Sequence, residues 1–467
     1  MPLVVQLMPP SGLSVAIPSR AGPRCVAAQA VAAHRERISP VEFAPQAPIT
    51  AAGRMFEVMG TLPVSVHEHA LALLDANWRE GEQDGVPYGF SVPSPSTYPW
   101  QWYWDSCLHA IVRARTQPDR ARTELQTLLG ASRDGFIGHT VFWGHRLHRR
   151  KRFRYNVIGR GDSATGTIQP PMLAWAWRAA VGEPAENSAI VDHHRWLRDN
   201  RALEDDGLLW LLQPDESGMD ASPKFDHVWG PYAQGTPLFP ALIARNRKLG
   251  FDIRRVQAAG RPLVCEVLTN VMWSLSEQAL GRPSLTPALI DRCYDHELGR
   301  FLDDARNPYR QCAREHVPLT WDTLAPLALP DLPQDIAHRL VRQFLISGVF
   351  ADSACPLVAV AVGDRSYSLR EHFSGFRRHW RGHAWMNALW LVGLGLRRLG
   401  YEVLAEDHVA QMGALVAREG FREYYHGRTG HGLAARDFGW STLLCEMDDP
   451  SPGSLTSFLP QPAAAAA

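Results

Sequence analysis

Two acidic residues, Glu216 and Asp220, stand in the short segment 216–225 (ESGMDASPKF), directly behind the apolar run 207–212 (GLLWLL). Ser, Gly and Pro mark the segment as a loop, and a carboxylate held on a loop at the end of a rigid element suits a general acid. A loop of this composition is not expected to pack as core, and Lys224 is the only cation close by in sequence. The competing reading is a turn whose Asp and Ser side chains bond their own backbone.

Four further segments concentrate polar groups among aromatic rings. Residues 98–109 (YPWQWYWDSCLH) place Tyr98, Trp102 and neighbouring rings before Asp105, where the pattern opens a helix and Asp105 could serve as its N-cap. Residues 165–171 (TGTIQPP) present Gln169 just ahead of another helix, with an amide suited to sugar hydroxyls or simply to a turn. Residues 379–387 (HWRGHAWMN) carry Trp380, Arg381 and His383, and the planar fork of Arg381 could grip a carboxylate or sugar oxygens, or serve a structural ion pair. Residues 421–440 (FREYYHGRTGHGLAARDFGW) set Glu423 among rings, then a Gly-rich turn, then Trp440. A glutamate desolvated by rings is what a catalytic base looks like, although a solvated partner of Arg422 is the plain alternative. Asp220 and Glu423 are the best pair for acid/base cleavage of a glycosidic bond, in which one carboxyl protonates the departing oxygen and the other activates water or attacks C1. Burial among aromatics is expected to keep one of them protonated near neutral pH.

The elements that must position these groups read as helices. Helical spacing covers 64–80, 105–116, 121–131, 171–180, 188–199, 238–249, 254–280, 287–301, 333–346, 383–399 and 403–419, with Asp, Ser or Pro where caps belong. Strand signals are short, such as 357–362 (LVAVAV). Eleven helical spans without βαβ alternation point to an all-α fold of paired helices. No period of 30–45 residues supports a solenoid, and the long aromatic loops favour hairpins closed into an (α/α)6 toroid. Residues 1–52 and 450–467 read as loosely attached or disordered, leaving 53–449 as the catalytic domain.

Composition narrows the partners. Lys and Arg (48) balance Asp and Glu (48), so no global field favours nucleic acid or an anionic membrane. Seven scattered cysteines, odd in number and without a C-x-x-C pair, argue against a disulfide framework or a zinc site and for a cytoplasmic protein. The first residues lack the charged start and unbroken apolar stretch of a signal peptide, and no run spans a membrane. Sixteen Trp are more than packing usually needs and suit stacking on sugar faces.

Taken in order, segments 102–110, 134–143, 167–176, 216–226, 380–390 and 421–441 resemble glycoside hydrolase family 63, most closely its bacterial branch of mannosylglycerate and glucosylglycerate hydrolases. A looser similarity, through E-S-G-x-D, reaches the trehalases of family 37. The resemblance spans about residues 60 to 448 and implies an (α/α)6 barrel, an inverting mechanism on a small carbohydrate and no redox or nucleotide cofactor. It also implies that Asp220 is the general acid and Glu423 the general base. Trp102, Asp105, Gln169, Trp380 and Arg381 then look like sugar contacts. Tyr98, Glu216, His383 and Trp440 join them as candidate substrate-binding residues. His379, His383, Met386 and Gly138 depart from the residues common in relatives; none is expected to touch the two carboxylates, and the histidines, near the substrate loops, bear on the aglycone preference. A trehalase-like or oligosaccharide α-glucosidase specificity, and a non-catalytic carbohydrate-binding toroid, are the rival readings. A homo-oligomer is compatible with the sequence. The basic run 145–154 (HRLHRRKRFR) reads as a solvated loop, or as a lid drawing in an anionic glycoside.

Overall fold

Helices buried on nearly all sides alternate along the chain with helices buried on one face. In the computed structural model, which describes residues 64–144, 152, 163–309, 312–373 and 375–448, Tyr103–Arg113 is buried at every position but Val112. Val267–Ala279 is buried at every position but Gln278, and Met386–Arg398 from Met386 to Leu396. By contrast, Glu402–Glu419 buries only Ala405, His408, Val409, Met412, Gly413, Leu415 and Val416, one stripe of an amphipathic helix. The terminal segments 1–52 and 450–467, and the basic run apart from Arg152, lie outside the described residues, all of which belong to one unit of the chain.

The fully buried helices touch one another in sequence. Tyr103–Arg113 packs on Leu173–Ala180, that on Val267–Ala279, and that on the 3-10 helix Trp321–Ala328. Met386–Arg398 follows, then Leu443–Asp448, which contacts Tyr103–Arg113 again. Gly395 lets two of these approach closely, since a Cβ there would lie 2.5 Å from the Leu327 carbonyl oxygen. One-faced helices cover them: Pro118–Gly130 lies on Tyr103–Arg113, Thr286–Cys293 on Val267–Ala279, and Glu402–Glu419 on Met386–Arg398. The described residues are therefore mainly helical, with six small antiparallel sheets.

Several elements differ from the sequence expectation, each for a local reason. The first helix stops at Ala76, and Trp78–Gln83 pairs with Val86–Ser91 as a hairpin whose turn holds Asp84 and Gly85 at positive φ. The span 254–280 divides into Ile253–Ala258, the strand Leu263–Cys265 and Val267–Ala279, because Gly260 (φ 60) and Pro262 break the helical run. The apolar run 357–362 forms a single bridge, Val360 to Thr320, and no strand. Trp321–Ala328 is an addition to the expected helices; Pro326 within it hides the helical pattern. Arg422–His426 and Gly432–Arg436 make a hairpin, joined by His383–Ala384 in register His383↔His426. The six described cysteines are all unpaired. Among the described residues no helix is long and apolar enough to cross a membrane.

Candidate active site

The segments that carry the aromatic and acidic residues lead into the N-terminal ends of the buried helices. Residues 98–105 run into Tyr103–Arg113, 165–169 lead to Leu173–Ala180, 376–385 to Met386–Arg398, and 438–440 to Leu443–Asp448. Together with the E-S-G-M-D loop they line one cavity of about 600 Å³. Tyr98, Trp102, Asp105, Gln169, Asp220, Trp380, Glu423 and Trp440 all face it, as do Trp104, His139, Asp215, Gln234, Arg377, His379, Trp385 and Phe438. Loops presented from rigid elements are where ligand chemistry usually collects.

Glu423 sits on the first strand of the 422–436 hairpin, where three donors hold its side chain. Tyr98 Oη donates to Oε1 at 3.0 Å, Arg377 Nη2 to Oε2 at 3.0 Å, and the Ala435 N–H to Oε2 at 3.2 Å. Its backbone carbonyl accepts from Trp440 Nε1 at 3.0 Å. Arg377 also donates to Tyr98 Oη at 3.0 Å and Tyr424 Oη at 3.1 Å, so one guanidinium braces Glu423 and both phenols. Burial, then the Glu423 charge, pushes the Tyr98 phenol well up, which keeps it a donor.

Asp220 lies on the other segment, its side chain 26% exposed to the cavity. Gln234 Nε2 donates to its Oδ2 at 2.5 Å, and His379 Nε2 stands 3.6 Å from Oδ1. Burial alone would raise its pKa, but the charge of the nearby His379, with its own backbone and His139, outweighs that and holds it below the ordinary carboxylate value. In this arrangement burial among aromatics does not protonate Asp220. The carboxyls that burial does raise are Asp105 and Asp215, each to about 7. For Asp105, burial is opposed by His109; for Asp215, it is reinforced by Glu216. The helix begins at Tyr103 with Trp102 as its N-cap, so Asp105 lies in the first turn and is not the cap. Its Oδ1 is buried without a hydrogen-bond partner, and Trp102 Nε1 is too. Gln169 spends its carbonyl on the Trp104 N–H at 3.1 Å, leaving its NH2 as the group for a ligand. Trp380, at φ 62, is in a left-handed conformation unfavourable for a bulky residue, and its ring lies flat on Trp385 at 3.7 Å.

Three anticipated contacts are not brought to the cavity. Glu216 is wholly buried and fully engaged: Arg201 grips both oxygens at 3.0 and 2.7 Å, and the N–H groups of Ile168 and Leu212 donate at 3.2 and 2.8 Å. It rivets the E-S-G-M-D loop to the Gln169 segment and to the apolar run, so the loop packs as core after all. Gly218 completes that fit, with φ 74 and a Cβ position only 2.5 Å from the Trp104 ring. Arg381 donates to both oxygens of Asp226 at 2.8 and 2.9 Å. His383 is buried between Tyr424 (5.1 Å) and His426 (5.7 Å), and burial first, then His426, lowers its pKa to about 3. Nor is Lys224 a partner of the loop carboxylates. It fills the buried acidic trio Glu266, Asp303 and Asp322, bonding Asp322 at 2.6 Å, and occupies the place a cation would take there. Sequence reasoning missed Arg377, His139 and Gln234 as site groups, and it set His379 near the substrate but away from the carboxylates, whereas the ring stands beside Asp220. Of these only His379, an unusual residue beside a Trp, carried a signal.

The span that holds these segments is similar to known proteins. The profile of the mannosylglycerate hydrolase MGH1-like glycoside hydrolase domain matches residues 98–441. The mannosylglycerate hydrolase of Thermus thermophilus is 27% identical over 409 residues, covering 76% of this chain and 95% of that protein. The glucosylglycerate hydrolase of Mycolicibacterium hassiacum is 25% identical over 414 residues, covering 75% and 92%. Among solved structures, a GH63 mannosylglycerate hydrolase from Thermus thermophilus in complex with glucose superposes with a TM-score of 0.67 at 26% identity, covering 82% of this chain and 99% of that one. The chain is a glycoside hydrolase and belongs to the mannosylglycerate hydrolase MGH1-like family.

Proposed function

We propose that this enzyme hydrolyses the α-glycosidic bond of a small glycoside of the glucosylglycerate or mannosylglycerate type, with inversion, using Asp220 as general acid and Glu423 as general base. The observation that carries the reading is that both carboxylates face one aromatic-walled cavity from different segments. In the step, the Asp220 proton passes to the glycosidic oxygen as its bond to C1 breaks. Water forms the new bond to C1 from the opposite face and gives its proton to Glu423. Arg377, Tyr98 and the Ala435 N–H fix the Glu423 oxygens for that task, while Trp102, Asp105, Gln169, Trp380 and Trp440 contact the sugar. The cycle of helix contacts supports closure of the six buried helices into an (α/α)6 barrel, with the site at their N-terminal ends. Unpaired cysteines support a reducing, cytoplasmic setting.

The test is turnover on a panel of glucosylglycerate, mannosylglycerate, trehalose, kojibiose, nigerose and maltose, with the first anomer released followed by NMR. The glycerate glycosides should be the best substrates and should release the inverted anomer. Preference for trehalose or for an oligosaccharide would reassign the specificity. Failure on all of them by well-folded protein would favour a binding toroid.

A further inference from the structure

The site poses a chemical problem: the residue read as the general acid is held as a carboxylate by its neighbours. The geometry around it suggests a source for the missing proton. Gln234 occupies Oδ2 of Asp220 through an N–H donor, which leaves Oδ1 turned to His379 Nε2 at 3.6 Å. On its other side, His379 Nδ1 is buried and has no hydrogen-bond partner. A protonated ring here would therefore turn one N–H towards Asp220 and leave the other without an acceptor.

We propose that His379 and Asp220 hold one proton between them, and that this shared proton is the one delivered to the glycosidic oxygen. The proposal rests on the reading of Asp220 as general acid and deepens it; His379 acts through Asp220 and is a positioning residue. Substrate entering the cavity displaces water and disfavours a separated ion pair. Closing the Nε2 to Oδ1 gap to about 3 Å brings the two within transfer range. The Nε2–H bond breaks and an Oδ1–H bond forms, leaving neutral imidazole and a carboxylic acid. That acid then gives the same proton to the leaving oxygen. Glu423 gains a proton from water in the same turnover, and exchange with solvent returns both groups to their starting states.

The surroundings of His379 contain little else to titrate with it. Tyr424 lies nearly parallel to its ring at 6.2 Å and Trp385 at 5.7 Å. His383, behind Tyr424, is kept neutral by burial, and His139, across Asp220, is lowered by burial to about 4. Arg377 and Arg378, its neighbours in the chain, are turned to Glu423 and Asp226. Asp220 is thus the anionic group that the ring faces.

Two measurements test this. In H379F and H379Y, whose rings keep the packing but carry no cation at neutral pH, the alkaline limb of the kcat/KM profile should move to lower pH by about one unit or more. A limb that stays in place in the folded variants, or a change in KM alone, overturns the proposal. Should those variants prove inactive, the His379 ring is followed by NMR in histidine-labelled protein. Its titration midpoint should fall by about one pH unit or more in D220N relative to wild type; an unchanged midpoint overturns the proposal. The two readings fail separately. If D220N keeps its turnover, Asp220 is not the acid; if D220N is dead and the midpoint stays put, only the shared proton is wrong.

Discussion

The two walls of the cavity hold their carboxylates by different means. On the Glu423 wall, a permanent cation, a phenol and a backbone N–H converge on the side chain, all within 3.2 Å. On the Asp220 wall, the partners are an amide and a titratable imidazole that stands off at 3.6 Å. A group that must only accept a proton tolerates a fixed guanidinium. A group that must deliver one needs a neighbour able to give it up. On the proposed roles, the difference teaches that pH sensitivity should reside on the Asp220 wall, and positional precision on the Glu423 wall.

The largest effect that breaks this comparison is loss of either carboxyl. D220N and E423Q should each lower kcat by about a thousandfold or more while leaving the far-UV circular dichroism spectrum intact. Next comes R201M, which leaves the buried Glu216 without its cation and should destabilise the fold by about 3–5 kcal/mol in denaturant titration. R377M sharpens the comparison: about a 10- to 100-fold fall in kcat, with the alkaline limb of kcat/KM unmoved, because the bracing is lost but the proton donor is not. The last effect concerns stability alone, at alkaline pH. The folded pKa of Asp105, about 7, lies above its unfolded value, so the folded state binds the extra proton between the two and stability falls as pH rises through that window. D105N should therefore gain about 4 kcal/mol over wild type at pH 8, and the gain should shrink to about 0.5 kcal/mol near pH 4, as read by thermal melts across pH.

Much of the site is legible as motifs, because its residues cluster in short segments that lead into helices. The E-S-G-M-D loop, the W-Y-W-D turn and the E-Y-Y strand all reach the cavity. What sequence does not resolve is which of several like residues turns inward. Within the loop, Glu216 and Asp220 look alike, and only the fold shows Arg201, fifteen residues upstream, claiming Glu216. Within 376–381 three arginines compete. The sequence reading favours Arg381, whereas Asp226 takes Arg381 and Arg378, and Arg377 is the one that reaches Glu423. The turn that sorts them passes through Trp380 at positive φ, which no propensity foretells for Trp. The helices lie largely where their spacing places them. The exceptions are Trp321–Ala328, whose internal Pro326 masks its helical pattern, and the runs that turn into hairpins after Ala76 and Cys293.

The central claim, that Asp220 gives the proton and Glu423 takes one, is tested most directly by turnover of an α-glycosyl fluoride of the preferred sugar. Fluoride departs with little help from an acid but still requires an activated water. D220N should recover much of wild-type kcat on the fluoride while remaining inactive on the glycoside, and E423Q should remain inactive on both. Recovery by E423Q with none by D220N would contradict the assignment.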